Sequence, residues 1–156
     1  MTISIESLLA RESIREALAN YSMLLDGDGA GRDPQQWANR LFTADATFVL
    51  HQPDGKEQYR IEGREKIGST FGRPASPKVA VRHFMVNTVF DEVTSTSAKT
   101  RTSALIQVSK RDQGGERKEG INGAESVASM LIVYHDTWVL EGGEWKKKLS
   151  VLRRDT

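Results

Sequence analysis

The sequence contains no cysteine, which excludes disulfide bonds, catalysis by a thiolate and cysteine-based metal sites together. It also lacks any apolar run that approaches the roughly 20 residues of a membrane span. The N-terminal stretch MTISIESLLARESI does not show the basic-then-apolar pattern of a secretory signal. We therefore expect a soluble, cytoplasmic protein with no membrane partner.

Neither sign of charge is in excess, because 22 basic and 21 acidic side chains leave a formal net charge of +1. This balance provides no overall field to attract nucleic acid, so we expect no nucleic-acid partner. The run KKK at residues 146–148 alternates faces along a predicted strand, and we interpret it as a solvated edge with Lys147 partly inward. The 156 residues suffice for one ordinary core and predict a single domain over residues 1–156.

Hydrophobic spacing organises the chain into helices followed by strands. Ser4 is a suitable N-cap for a first helix over residues 4–25, and Asp33-Pro34 is typical of the start of a short helix that carries Trp37. The other predicted elements are strands over 46–50 and 59–62, a helix over 64–71, and long strands over 78–91, 97–110, 124–140 and 145–152. The connections EVTS, DQGGERKEG and EGGE favour hairpins. This order predicts an α+β fold with helices on one face of a curved, mainly antiparallel sheet.

The stretch RHFMVN places an imidazole and a carboxamide on one predicted strand. Because side chains alternate faces, His83, Met85 and Asn87 are expected to share the inward face. Pairing across a turn at residues 92–95 sets Ala104 opposite His83, Thr102 opposite Met85 and Thr100 opposite Asn87. These small partners leave the space that a ligand pocket needs. The alternative is that His83 and Asn87 are structural and bond to backbone groups.

Two residues of the first helix extend this hypothesis. Tyr21 lies on the apolar stripe of the helix, and Asp26 follows where the helix is expected to end. A histidine base, a carboxylate that orients it and a phenol that donates to a substrate oxygen form a workable catalytic set. The alternative reading makes Tyr21 a core residue and Asp26 an ordinary turn aspartate.

Four stretches of the sequence together resemble the SnoaL-like branch of the nuclear-transport-factor-2-like (NTF2-like) superfamily. They are YSMLLDGD, W..RLFTADATF, RHFMVNTVFD and YHDTWVLEGGEWK, in the order expected for that family. The resemblance implies an NTF2-like cone: a strongly bent antiparallel sheet wrapped by helices around a deep apolar pocket. It also implies a homo-oligomer, either a dimer or a trimer. Both faces of the strand over 124–140 are apolar, which fits such an assembly, although the sequence leaves open which face lines the pocket.

Within that family, Tyr21, Asp26 and His83 are similar to the catalytic set of scytalone dehydratases and bile-acid 7α-dehydratases. The resemblance implies a lyase without metal or other cofactor, acting on a small hydrophobic, oxygenated ring compound. Asn87 would then bind substrate, with an apolar wall from Trp37, Phe42, Phe48, Met85 and Met130. Open alternatives are a polyketide cyclase, a ketosteroid-type isomerase, and a non-catalytic binding or assembly module. Ser150 departs from the family, which often has an arginine at that position.

Overall fold

The computed structural model describes residues 4–26, 34–71, 79–110 and 126–155. These residues form an α+β fold whose elements are α1 (Ile5–Asp26), α2 (Pro34–Leu41), β1 (Phe42–His51), β2 (Glu57–Glu62), α3 (Arg64–Phe71), β3 (Val79–Val93), β4 (Ser97–Lys110), β5 (Ser126–Glu141) and β6 (Glu144–Asp155). The predicted order of helices and strands is confirmed. In these four ranges, no helix is both long and apolar enough to cross a membrane.

The six strands form one curved, open sheet in the order β2-β1-β6-β5-β4-β3. All neighbours are antiparallel except β1 and β6, which run parallel, so the expectation of a mainly antiparallel sheet is confirmed. Gly142 and Gly143 make the turn between β5 and β6 with φ of 61° and 83°. Positive φ at both positions is what a tight hairpin turn requires. The predicted loop DQGGERKEG at 112–120 lies outside the described residues.

Helix α1 connects the two parts of the core. It begins at a capped end, where the Ser7 backbone N–H donates to Ser4 Oγ over 3.2 Å. Its buried side chains recur every three or four residues, as an amphipathic helix requires: Ala10, Ile14, Leu18, Tyr21 and Leu25. The N-terminal part of this stripe packs with Trp138 and Trp145, and the C-terminal part joins a larger, aromatic cluster. Helix α1 therefore packs over the sheet as predicted.

The predicted register between β3 and β4 is wrong, and a β-bulge explains part of the error. His83 lies opposite Ile106, and Met85 lies opposite Ala104. The pairing then shifts, so that Val86 has no partner and Asn87 is exposed. A bulge inserts one extra residue and thereby moves every later side chain to the opposite face of the sheet. The expectation that Asn87 shares the inward face with His83 is consequently wrong.

The inward position after the bulge belongs to Thr88, whose hydroxyl lies 3.2 Å from that of Thr102 on β4. The register before the bulge is offset as well, because β3 continues to Val93 and has a second irregularity between Phe90 and Glu92. A sequence that shows only alternating polarity does not reveal either irregularity. The inward face predicted for β4 is nevertheless confirmed, since Thr102 and Ala104 are buried.

The interpretation of residues 146–148 as a solvated edge is also wrong, whereas the expected inward direction of Lys147 is confirmed. Strand β6 is central, because β5 pairs with one side of it and β1 with the other. Lys147 has no exposed surface at all. The parallel pairing with β1, which is distant in sequence, puts this strand inside the sheet, and short-range pattern does not predict such a contact.

Candidate active site

The end of α1 meets the edge strand β3 through two residues. Asp26 is the last residue of α1, and β3 has no neighbour on its outer side within the described sheet. One carboxylate oxygen of Asp26, Oδ2, accepts the backbone N–H of His83 over 2.7 Å. The other, Oδ1, lies 2.5 Å from the ring Nδ1 of the same histidine. The predicted contact between Asp26 and His83 is therefore present, and the carboxylate holds both the backbone and the ring.

This contact defines which ring nitrogen carries the proton. An ionised carboxylate only accepts hydrogen bonds, so Nδ1 must donate. In the neutral ring, Nε2 then has the free lone pair that a general base uses. None of the residues that the structure describes makes a hydrogen bond to Nε2. The histidine and aspartate side chains are 12% and 8% exposed, which shields the pair from most solvent without sealing it.

A groove of about 540 Å³ runs between α1 and β3 and includes both members of the pair. We call it the α1–β3 groove. Its walls are mainly apolar, with a few polar groups, as in small-molecule sites. The lining residues are Arg15, Leu18, Ala19, Ser22, Met23, Asp26, Arg82, His83, Phe84, Met85, Val86 and Thr88. The lining residues of α1, from Arg15 to Asp26, recur three and four positions apart, so they lie on one face of the helix.

Tyr21 does not line this groove. It is 2% exposed and packs between Trp37, Phe42 and Tyr134. Burial raises its pKa well above the usual value, with a further contribution from the neighbouring Tyr134. Burial likewise raises the pKa of Tyr134, and the charge of Asp26 acts in the same direction. Both tyrosines belong to the aromatic core cluster, and the role of Tyr21 as donor to a substrate stays a prediction.

The residues predicted to form an apolar wall do not all lie in one place in the structure. Met85 lines the α1–β3 groove next to His83. Trp37, Phe42 and Phe48 are at most 2% exposed and belong to the aromatic core cluster, against which Met130 packs. Sequence reasoning missed the residues that α1 contributes between Arg15 and Met23. The signal was available, because these positions flank the buried stripe of α1 at helical spacing.

A second charged pair lies in the core between the sheet and α1, and the sequence did not predict it. Lys147 Nζ and Asp136 Oδ2 are 2.9 Å apart, an ion pair without the alignment of a hydrogen bond, and neither side chain is exposed. The hydroxyl of Ser150 donates to Asp136 Oδ1 over 2.6 Å. Burial lowers the pKa of Lys147, while the charge of Asp136 opposes that shift. The inward direction of Lys147 follows from the alternation of side chains along β6, since Lys147 shares a face with the buried Trp145.

The lysine also lies against aromatic rings. Its Nζ is 4.2 Å from the ring centroid of Tyr21 and 5.1 Å from that of Tyr134. Such cation–π contacts stabilise a desolvated ammonium group.

No three histidine, aspartate or glutamate side chains converge as a metal site within residues 4–26, 34–71, 79–110 and 126–155.

Three helices on a curved, open sheet define the NTF2-like class of α+β cones. The chain belongs to the SnoaL-like domain family, whose sequence profile matches residues 6–149. The resemblance noted from the sequence is therefore confirmed. Among curated proteins, no sequence matches this chain significantly.

Several solved structures share the fold at low sequence identity. One, provisionally named a scytalone dehydratase, comes from Novosphingobium aromaticivorans; it is 21% identical with a TM-score of 0.70, over 99% of this chain and 89% of that one. ActVI-ORFA from Streptomyces coelicolor is 19% identical with a TM-score of 0.70, over 94% and 97% of the chains. A hexachlorocyclohexane dehydrochlorinase from Novosphingobium barchaimii is 14% identical with a TM-score of 0.68, over 97% and 90%. These likenesses show the fold.

Proposed function

We propose that this protein is a cofactor-independent lyase in which His83 is the general base. The observation that carries the proposal is the double contact of the Asp26 carboxylate with His83. The carboxylate binds the backbone N–H and ring Nδ1 of one residue, at 2.7 and 2.5 Å. A ring held at two points has little freedom to turn, and its Nε2 is left to take a proton.

The proposed substrate is a small hydrophobic, oxygenated ring compound. Its ring would lie against the apolar side chains of the α1–β3 groove, including Met85 and Leu18. His83 Nε2 removes a proton from carbon, the C–H electron pair forms the new double bond, and the leaving group departs with its own electron pair. Asp26 stabilises the imidazolium ion that forms. When the leaving group is a hydroxyl, the proton on Nε2 passes to it, so that it departs as water and the neutral histidine is restored; when it is a halide, that proton passes to solvent.

The names of the fold relatives support elimination as the reaction class. One neighbour carries the name of a dehydratase and another that of a dehydrochlorinase. Isomerisation begins with the same abstraction of a proton and is the second candidate, because the histidine–aspartate pair serves both reactions equally. Product mass separates them, since elimination removes the leaving group and isomerisation conserves the mass.

The experiment is a screen of hydroxylated and halogenated ring compounds, with products analysed by mass spectrometry. We expect at least one compound to lose water or hydrogen halide, and the His83→Gln variant to be slower by about 10²- to 10⁴-fold, the usual contribution of general-base catalysis. His135→Gln is the matched control: the same substitution on β5, outside the groove, and it should keep full activity. A His83→Gln variant that turns over as fast as the native protein would refute the assignment.

The predicted homo-oligomer stays a separate proposal. Its support is the exposure of large apolar side chains on the sheet, among them Phe84, Val86 and Leu131 at 48%, 63% and 55%. Light scattering on the purified chain tests it: a mass of two or three chains is expected, and a monomer at all concentrations would contradict it.

A further inference from the structure

Two arginines of α1 lie over one aromatic ring, and one of them, Arg15, lines the end of the α1–β3 groove that is remote from His83, whereas Arg11 and Phe90 adjoin it. The guanidinium carbon of Arg11 is 4.9 Å from the centroid of Phe90, and that of Arg15 is 5.2 Å from the same centroid. They are four positions apart on α1, a spacing at which like charges repel. We call Arg11, Arg15 and Phe90 the arginine end of the groove.

The positive charge at the arginine end is only weakly compensated. Arg15 has one carboxylate partner, Glu12, at 3.4 Å, and both side chains are more than half exposed. A surface pair of this kind contributes little stabilisation. Arg11 Nε is buried and has no hydrogen-bond partner within the described part of the chain. A buried donor without a partner is costly, and a bound anion is one way to satisfy it.

The groove connects the arginine end to the catalytic pair in a straight line. Arg15 and Asp26 are eleven positions apart on one helix, which corresponds to about 16 Å along the axis at 1.5 Å per residue. Apolar side chains lie between them, including Leu18 and Met23 from α1 and Met85 from β3. The groove thus has Arg15 at one end and apolar side chains along its length. At its other end is the catalytic pair, beside Arg82, whose guanidinium donates to the backbone carbonyl of Asp26 over 3.2 Å.

We propose that the α1–β3 groove binds an elongated hydrophobic anion. Its carboxylate lies at the arginine end, where the guanidinium of Arg15 binds it and Arg11 adds positive charge. Its apolar body lies along Leu18, Met23 and Met85, and its far end lies at His83. The identity of this far end as the reacting group rests on the proposed function, whereas the binding of the anion does not.

A matched pair of fluorescent probes tests the binding. Anilinonaphthalene sulfonate carries an anionic group on an apolar scaffold, and N-phenylnaphthylamine is the same scaffold without the sulfonate. We expect the anionic probe to bind the native protein more tightly than the neutral probe by about tenfold, the usual effect of a hydrogen-bonded charged contact. Equal dissociation constants for the two probes would overturn the proposal.

Substitution of the arginine locates the effect. Arg15→Gln should weaken binding of the anionic probe about five- to tenfold and leave the neutral probe unchanged, and Arg15→Lys should retain part of the difference. Arg101→Gln is the matched control, because Arg101 is similarly exposed and paired with a carboxylate, but on β4 outside the groove. If Arg101→Gln weakens the anionic probe as much as Arg15→Gln does, the arginine end is not the binding site.

Two further variants separate this proposal from the proposed function. Ala19→Trp places a large ring in the groove at an exposed helix position and should displace both probes. His83→Gln should leave the ratio of the two dissociation constants unchanged, since any effect at that end acts on both probes alike and no cation at the arginine end is altered. Probe binding that survives Ala19→Trp overturns the groove as the site. Failure of every compound to react would refute the lyase and leave the probe results standing.

Discussion

Two pairs of an aspartate with a nitrogen base are shielded from solvent in the described part of the chain, and they differ in their access to water. In the first, Asp26 and His83 lie at the edge of the sheet and keep 8% and 12% of their side-chain surface. In the second, the side chains of Asp136 and Lys147 lie in the core between the sheet and α1 and have no exposed surface. Their surroundings, more than their chemistry, separate a candidate catalytic pair from a structural one.

Burial determines what each pair can do. A base that exchanges protons with a substrate needs a path to the substrate; His83 lines the α1–β3 groove, whereas the side chain of Lys147 has no exposed surface. Lys147 is enclosed by Asp136 and by the rings of Tyr21, Tyr134 and Trp138. A buried ion pair is weak evidence for stability, but loss of one partner leaves a charge that nothing solvates. The same kind of substitution should therefore affect activity at one pair and stability at the other.

The largest expected effect is that of Asp26→Asn on turnover. The asparagine keeps the size of the side chain but no longer fixes the proton on Nδ1, so His83 loses its orientation as a base. We expect the rate of the proposed elimination to fall about 10²-fold or more, while the melting temperature changes little. Steady-state kinetics and thermal unfolding on the same sample measure both. Unchanged kinetics would place the base elsewhere.

The matching substitution Asp136→Asn should act on stability. It leaves the ammonium group of Lys147 buried without a counter-charge, so the free energy of unfolding should fall by about 3 to 5 kcal/mol. Denaturant unfolding monitored by tryptophan fluorescence measures it.

Its control is the double variant Asp136→Leu with Lys147→Met, which removes both charges. Because an apolar pair of similar volume often replaces a buried ion pair without loss, most of the stability should return. A double variant as unstable as Asp136→Asn alone would show that the pair itself stabilises the fold.

The three tyrosines of the chain provide a smaller effect, which depends on pH. Burial raises the pKa of Tyr21, Tyr59 and Tyr134 above the ordinary value of 10. The unfolded chain therefore releases these protons at a lower pH than the native protein does, and the free energy of unfolding should fall as pH rises above about 10. At that pH, ultraviolet absorbance should show most tyrosines un-ionised in the native protein. Half-ionised tyrosines in a chain that retains its native circular dichroism would contradict the burial.

The smallest effect is expected at Asn87, on the opposite side of the bulge from His83. Because its side chain is exposed, Asn87→Ala should change the free energy of unfolding by less than about 0.5 kcal/mol and leave turnover unchanged. A large loss of activity would show that the face after the bulge also contributes to the site.

The regular elements of this fold follow from local pattern. The predicted helix over 64–71 and the predicted strand over 97–110 coincide with α3 and β4, and α1 differs from its prediction by one residue at each end. These elements have clear periodicity and turn residues at their ends, which act within a few positions of the chain. The contact of Asp26 with His83 could likewise be predicted from the sequence, because both residues lie in stretches that resemble the SnoaL-like family.

The errors arise where structure depends on distant contacts. The parallel pairing of β1 with β6 joins strands remote in sequence, and the bulge at Val86 interrupts the regular alternation within the β3–β4 hairpin. The bulge decides that Asn87 faces outward, and the pairing with β1 makes β6 a central strand; alternation along one strand predicts the inward direction of Lys147 but neither of these two results. The groove depends on how closely α1 approaches β3, which is a property of packing rather than of sequence pattern.

The most direct measurement is the tautomer of His83 by nitrogen-15 NMR on the labelled protein. The central claim is that Asp26 holds the proton on Nδ1 and leaves Nε2 free to act as a base. In the neutral ring, we expect an Nδ1 shift typical of a protonated nitrogen and an Nε2 shift typical of a bare one, with the pattern lost in Asp26→Asn. A proton on Nε2 in the native protein would contradict the account, because His83 would then have no free nitrogen toward a substrate.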